Sequence, residues 1–334
     1  MDNNLRDHLK AQILRGAISD ADFSALALAV FAFQYKHNAF YQRYCSLVGK
    51  DAAAVSKLSD IPFLPIQFFK NQDIRTGNWA AEIIFSSSGT TGNTTSQHLT
   101  RELAFYKQVA RQGFEQFYGK IDNFCILGLL PSYLERSGSS LIAMVDDFIH
   151  LSKHPKSGFF LNGHAQLAKI LRGCQEENVP TLLVGVSFGL LDFVEKFTLN
   201  FPQLIVMETG GMKGRRREMI RSELHDTLAR GFGVATIHSE YGMTELFSQG
   251  YSRGHGIFEA TPTLRVLSRE INDPLSIQTP EGKLGILNVI DLANLDTCSF
   301  IATDDLGRVY GDGSFEILGR LDNSDMRGCN LLIA

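Results

Sequence analysis

The stretch "IIFSSSGTTGNTTS", Ile83 to Ser96, decides the reading of this chain. Three apolar residues suited to a buried strand run directly into eleven that are all Ser, Thr, Gly or Asn. Such a loop offers clustered backbone N–H groups and hydroxyls, and its glycines permit close approach and unusual dihedrals. That surface suits a polyphosphate, but a solvated turn has the same composition. It is not a Walker loop: GxxxxGK[ST] is absent, and Asn93, Thr94 and Thr95 stand where a lysine would follow the second glycine.

Outward from the loop, the chain alternates short apolar runs with helical patterns. Residues 3–48 read as helices, and "IPFLPIQFFK" (61–70) as an extended segment crossing the body. A short strand, 82–85, enters the loop, and a helix follows over 101–118. Strands are expected at 124–130, 181–186, 204–208 and 234–239, with helices at 139–149, 163–177, 188–199 and 215–230. This alternation predicts a mostly parallel, covered sheet. From about residue 257 the runs "TLRVLSRE", "GILNVIDL", "CSFIATDDLG" and "SFEILGR" read as strands without long helices between them. The expected organisation is one core over 1–320: a helical segment 1–60, an α/β body 61–256 and a β-rich part 257–320. A tail of 321–334 follows.

Composition narrows the function. The 334 residues are 44% hydrophobic with net charge −4, and "KGRRR" (213–217) is the one basic run. Neither suggests a nucleic-acid surface. No apolar run approaches the 18 or so residues of a membrane span. The polar, charge-alternating start "MDNNLRDHLK" is not expected to be a signal peptide. Five widely spaced cysteines without metal-site spacing predict reduced thiols in a cytoplasm.

Three further stretches supply what a nucleotide site needs. "SEYGMTE" (239–245) puts an aromatic, a hydroxyl and a carboxylate within five residues after a strand. "TDDLG" (303–307) ends a strand with two carboxylates, and "GRLDNSDMRG" (319–328) adds Arg320 and Asp322. A stacking ring, a carboxylate for Mg2+, an acid for a ribose diol and a cation near phosphate compose an ATP site.

In this order "SSSGTTG", "YGMTE", "TDDLG" and "GR-x-D" resemble the core motifs of the adenylate-forming superfamily. "LPIQFFK", "ETGGMKGRRRE", "EYGMTE" and "RGCNLL" resemble its acyl-protein synthetase (LuxE-type) branch, from about residue 35 onward. The fold so implied is α/β, the large adenylation domain with layered sheets and a β-rich subdomain, lacking the full small C-terminal domain. The resemblance implies that Ser87, Ser88, Gly89, Thr90, Thr91 and Gly92 clasp the β- and γ-phosphates of ATP. Tyr241 and Gly242 would meet the adenine, Thr244 the α-phosphate and Glu245 the Mg2+. Asp305 would hold the ribose, with Asp304 its discounted neighbour, and Arg320 would reach ribose or phosphate. Gly210 and Gly211 would line the floor under the acyl-adenylate. Lys213 and Arg215, in "GGMKGR" before a helix, are the candidates to meet phosphate charge in place of the loop lysine. His238 reads equally as a core histidine or a polar site group.

The resemblance further implies two half-reactions: formation of acyl-AMP from ATP and a carboxylic, by expectation fatty, acid, then transfer to a thiol. Most of the superfamily carries an adenylation lysine in a further domain; this sequence stops at Ala334, so none is expected here. Cys329 matches the cysteine on which the branch holds its acyl group, for delivery to an acyl reductase partner or a carrier protein. Two alternatives stay open: a CoA ligase of the phenylacetate type, and a nucleotide- or acyl-adenylate-binding subunit with little turnover.

Overall fold

The computed structural model describes residues 2–16, 19–87, 95–130, 138–161, 163–210, 219–277 and 282–321. Three helices open the chain, Asn3–Arg15, Asp20–His37 and Ala39–Leu47. Each starts at a residue whose side-chain oxygen accepts a backbone N–H three positions on: Asp2 from Leu5, Ser19 from Asp22 and Asn38 from Tyr41. The second helix buries Phe23, Ala27, Val30, Phe31 and Phe33.

The body is a 12-stranded sheet. Five strands are parallel, in the order Gly158–Phe159, Cys125–Leu129, Thr181–Val186, Ile205–Thr209, His238–Tyr241. "TLLVGV" is buried at every position, as a strand covered on both faces must be. Helices Leu103–Tyr118, Ser140–Ser152, His164–Glu176, Ser187–Val194 and Arg221–Phe232 pack around it. Beyond Tyr241 the sheet turns antiparallel through Gly250–Ser252, Ile257–Ala260, Phe315–Arg320, Phe300–Val309, Gly285–Asp291 and Leu264–Arg269. The β-rich part therefore joins the parallel body edge to edge. The parallel strands all end on one rim, where open α/β sheets bind ligands.

Local departures from the sequence pattern have identifiable causes. The strand expected from residue 234 begins at His238, because the Val234 amide bonds back to Ala229 O and closes the preceding helix. The helix from Ser187 ends at Val194; beyond it Leu199 and Phe201 donate to Gly231 and Phe232. In "LPIQFFK" only Leu64–Pro65 is extended, pairing in parallel with Ile301 and Ala302, before a 3-10 turn Ile66–Lys70. The strand Ile83–Ser86 that enters the Ser/Thr/Gly loop has an antiparallel return strand, Gln97–Thr100, that its polar sequence did not announce.

The N-terminal helices hold the segment 291–300 behind the rim. Gln34 Nε2 donates to Asn294 O, Leu295 O and Ser299 Oγ, and its Oε1 accepts from Ser299 N. Arg6, 3% exposed, grips Asp296 through Nε (2.9 Å) and NH2 (2.5 Å) and reaches Glu102 at 2.6 Å, while Lys10 also pairs with Glu102. Glu102 lies two residues beyond the return strand Gln97–Thr100, so this cluster ties the first helix to the base of that hairpin. Arg6→Ala would remove the closest cation from the buried Asp296, leaving it Arg101 at 3.3 Å, and would leave Glu102 to Lys10. We expect a loss of about 3 kcal/mol in urea unfolding, with Arg6→Lys intermediate; a change under about 0.5 kcal/mol would show the cluster to be solvated surface.

Candidate active site

Pairing of Phe300–Val309 with Phe315–Arg320 sets Asp305 opposite Arg320. Tyr241, at the rim end of its strand, donates its hydroxyl to Asp305 Oδ2 at 2.8 Å. Its ring packs edge-on against Phe258 and Phe315. Arg320 Nε lies 3.7 Å from the other oxygen, Oδ1. Burial raises the Asp305 carboxyl above the usual range, while Tyr241 and Arg320 pull it back. One carboxylate oxygen is thus committed to Tyr241, and the second faces the exposed arginine. The neighbouring Asp304 accepts two hydrogen bonds from Gln67 Nε2, at 2.6 and 2.8 Å. That is the structural use of the glutamine in "LPIQFFK", and it separates the two acids of "TDDLG".

The turn carrying Thr244 and Glu245 follows Tyr241 directly. Its shape is set from outside by Asp291, which accepts the amides of Phe247 (2.7 Å) and Ser248 (2.9 Å) and the Ser248 hydroxyl (2.6 Å). Asn294 donates to Glu245 O at 2.7 Å. Thr244 is half-buried and Glu245 buried. Burial raises the Glu245 carboxyl; a hydrogen bond with Ser96 and the charge of Arg320 oppose the rise, and Asp305 adds to it.

Ser96 belongs to the neck of the Ser/Thr/Gly loop. Ser87 N donates to Ser96 O (3.0 Å), and Ser96 N donates to Ser87 Oγ (2.9 Å). The Ser87 hydroxyl is therefore committed to closing the neck. Two residues on, His98 is fully buried between the Thr244 carbonyl (Nδ1, 3.0 Å) and the Thr297 hydroxyl (Nε2, 2.9 Å). A carbonyl only accepts, so Nδ1 carries the proton and Nε2 accepts from Thr297. Burial lowers this imidazole to about 4, so it is neutral at pH 7. His98 thus joins the loop's return strand to the turn bearing Thr244.

Gly210 follows the rim end of Ile205–Thr209 with φ +52°, and no atom of the described residues lies within 4 Å of where a side chain would begin. Gly242 is exposed beside Tyr241. His238 hydrogen-bonds the Tyr118 hydroxyl at 3.1 Å, away from the Asp305 group in these contacts. Ser88, Gly89, Thr90, Thr91, Gly92, Gly211, Lys213, Arg215, Asp322 and Cys329 lie outside the described residues. Among the described residues, no cluster of three or more His, Cys, Asp or Glu could hold a metal ion, and no helix is long and apolar enough to cross a membrane.

Ser87, Tyr241, Gly242, Thr244, Glu245, Asp305 and Arg320 come from separate stretches, and the contacts above link their hairpin, turn and strands along one rim. This arrangement has relatives. The family model described as "Acyl-protein synthetase, LuxE" matches residues 19–137. The match is confined to that stretch, less than half of the chain. The fold is that of adenylate-forming enzymes. An open conformation of 2-hydroxyisobutyryl-CoA ligase, in complex with 2-HIB-AMP and CoA, superposes with TM-score 0.66 at 12% identity over 92% of this chain and 72% of the ligase. ATP-bound MatB from Rhodopseudomonas palustris gives TM-score 0.53 at 16% identity, over 73% of this chain and 49% of MatB. The chain thus spans about half the length of MatB. No curated protein sequence matches the chain.

Sequence reasoning missed His98, Asp291, Asn294 and Gln67, which hold the site groups in place. The pKa of His98 sets a test of its role. The unfolded imidazole takes up a proton near 6.5 and the folded one near 4, so the folded state loses stability as pH falls through that window. Between pH 7.5 and 4.5 the wild type should lose about 2–3 kcal/mol more than His98→Asn in urea unfolding. Parallel losses in the two proteins would contradict a buried neutral imidazole.

Proposed function

We propose that this protein activates a carboxylic acid, in its physiological form a fatty acid, with ATP and passes the acyl group to a thiol as an acyl-protein thioester. The observation that carries the reading is the linked group Tyr241–Asp305–Arg320 beside Thr244–Glu245 at the neck of the Ser/Thr/Gly loop. The acyl-protein synthetase match and the adenylate-forming fold support it.

In the first half-reaction the acid carboxylate attacks the α-phosphorus and pyrophosphate leaves. The loop residues 87–92 clasp the β- and γ-phosphates, joined by Lys213. Thr244 bonds the α-phosphate, while Tyr241 and the backbone of Gly210, Gly211 and Gly242 bracket the adenine. Asp305 Oδ1 accepts from the ribose hydroxyls, held in place because Oδ2 is occupied by Tyr241. Glu245 would hold Mg2+: it is a single buried carboxylate whose charge burial otherwise disfavours. Bound there, the cation would offset charge on the phosphates. The protein's contribution is positioning and charge neutralisation.

In the second half-reaction a thiolate attacks the mixed anhydride, the acyl carbon bonds to sulfur and AMP leaves. The four described cysteines, Cys45, Cys125, Cys174 and Cys298, are buried, and burial pushes the thiols of Cys45, Cys125 and Cys298 up. They are poor nucleophiles. Cys329 is the acceptor we propose, handing the acyl group to an acyl reductase or carrier protein. The likeness to a CoA ligase solved with CoA supports a second reading, with CoA as acceptor.

The test is ATP–pyrophosphate exchange driven by a panel of acids. Asp305→Ala should raise the KM for ATP at least tenfold and leave that for the acid nearly unchanged, since charge-assisted hydrogen bonds are worth about 1.5–3 kcal/mol each. Equal effects on both would make Asp305 a turn residue. Glu245→Gln should fold normally and lose exchange; full exchange in that variant would remove the metal assignment.

The acceptor is read separately. Intact-protein mass after incubation with ATP, Mg2+ and a fatty acid should show a hydroxylamine-sensitive adduct on wild type and none on Cys329→Ser, while both still exchange pyrophosphate. An adduct on both, or on neither while added CoA is acylated freely, would overturn Cys329 as carrier and favour CoA.

A further inference from the structure

Glu240 has no part in the site as described so far, yet it lies between its pieces. Register pairs Glu240 with Thr209 on one side and with Tyr251 on the other, one residue before Tyr241 and two before Gly242. Neighbouring residues on a strand point to opposite faces, so Glu240 faces away from Tyr241 and its aromatic neighbours. Its Oε2 accepts the Thr209 hydroxyl at 2.7 Å. Its Oε1 lies against Gly242: a Cβ on that glycine would sit 2.3 Å from it. Glu240 is buried and Gly242 exposed, so the missing side chain is what lets the carboxyl edge lie against the exposed backbone of the rim at Gly242, itself two residues from Thr244.

We propose that the Glu240 carboxyl grips the carboxylate of the acid substrate by a hydrogen bond and holds it beside Thr244. This rests on the acyl-adenylating reading, which requires a carboxylate within bonding reach of the α-phosphorus on that rim. Only a protonated Glu240 can donate such a bond; an ionised one repels the substrate.

The surroundings favour the proton. Burial raises the carboxyl to about 7, the Thr209 hydroxyl opposes, and Glu208 adds to the rise. Glu208 is itself held ionised on the neighbouring strand. Burial would raise it, but His225, Arg221 and Ser239 bring it below the usual range, with Ser187 also donating to Oε2. The other titratable groups facing Glu240 are phenols: Tyr106 from the helix Leu103–Tyr118 and Tyr251 from the adjacent strand, both pushed up by burial. Among the described residues no cation contributes to the Glu240 shift.

The experiment measures the KM for octanoate, tetradecanoate and phenylacetate in ATP–pyrophosphate exchange at saturating ATP. In wild type the acid KM should rise about tenfold from pH 6 to pH 8 as Glu240 ionises. Glu240→Gln donates at every pH, so its acid KM should stay near the wild-type pH 6 value throughout. Glu240→Leu should show the raised KM throughout, and the KM for ATP should be common to all three. Thr209→Val removes a bond that favours the ionised form and should move the wild-type midpoint upward. A slope in the glutamine variant matching wild type, or an unchanged acid KM in the leucine variant, would overturn the assignment of Glu240 alone. Absence of acid-dependent exchange in wild type would overturn the adenylating reading and this inference with it.

Discussion

The site depends on one buried carboxylate, Asp291. It is fully buried, and burial pushes it up, yet it accepts the amides of Phe247, Ser248 and Ala293 together with the Ser248 hydroxyl. An unmade hydrogen bond to a buried group costs about 1–3 kcal/mol. The turn after Tyr241 therefore has little freedom to relax, and Thr244 and Glu245 are presented by a backbone pinned from the strand behind it.

From that turn the constraints spread outward. His98 bonds the Thr244 carbonyl and stands on the arm by which the Ser/Thr/Gly loop returns. Ser96, on the same arm, meets Glu245. On the far side Gln34 and Arg6 hold residues 294–299, so the N-terminal helices stabilise the site without entering it. Tyr241 faces Phe258 and Phe315 and Glu240 the opposite side of the sheet, which brings the proposed adenine-stacking ring and the proposed acid-binding carboxyl to one strand end. Burial raises the Glu240 carboxyl to about 7, and strongly shifted groups of this kind cluster at functional sites.

The parts of this account legible in the sequence are those with local signatures. "TLLVGV" announces a covered central strand because every position is apolar or small, and "ADFSALALAVFAFQYKH" announces a helix by its broad apolar face. "YGMTE" and "TDDLG" stand out because they are short, ordered and chemically dense. The illegible parts depend on partners far along the chain. His98 and Thr297 are 199 residues apart, Gln67 and Asp304 237, Arg6 and Asp296 290. Nothing in "TSQHLTRE" says that its histidine will be desolvated and neutral. Glu240 escaped notice for a related reason: its neutral character comes from burial and from Glu208 on the next strand, and neither is visible in "EYGMTE".

The central claim is that one rim binds an acyl-adenylate between Tyr241, Asp305 and Thr244. A crystal structure with a non-hydrolysable acyl sulfamoyl adenosine tests it most directly. The account predicts the ribose hydroxyls on Asp305 Oδ1, the base against Tyr241 and Gly210, and the sulfamoyl group at Thr244. A ligand seated elsewhere on the sheet, or with its ribose out of reach of Asp305, would contradict it.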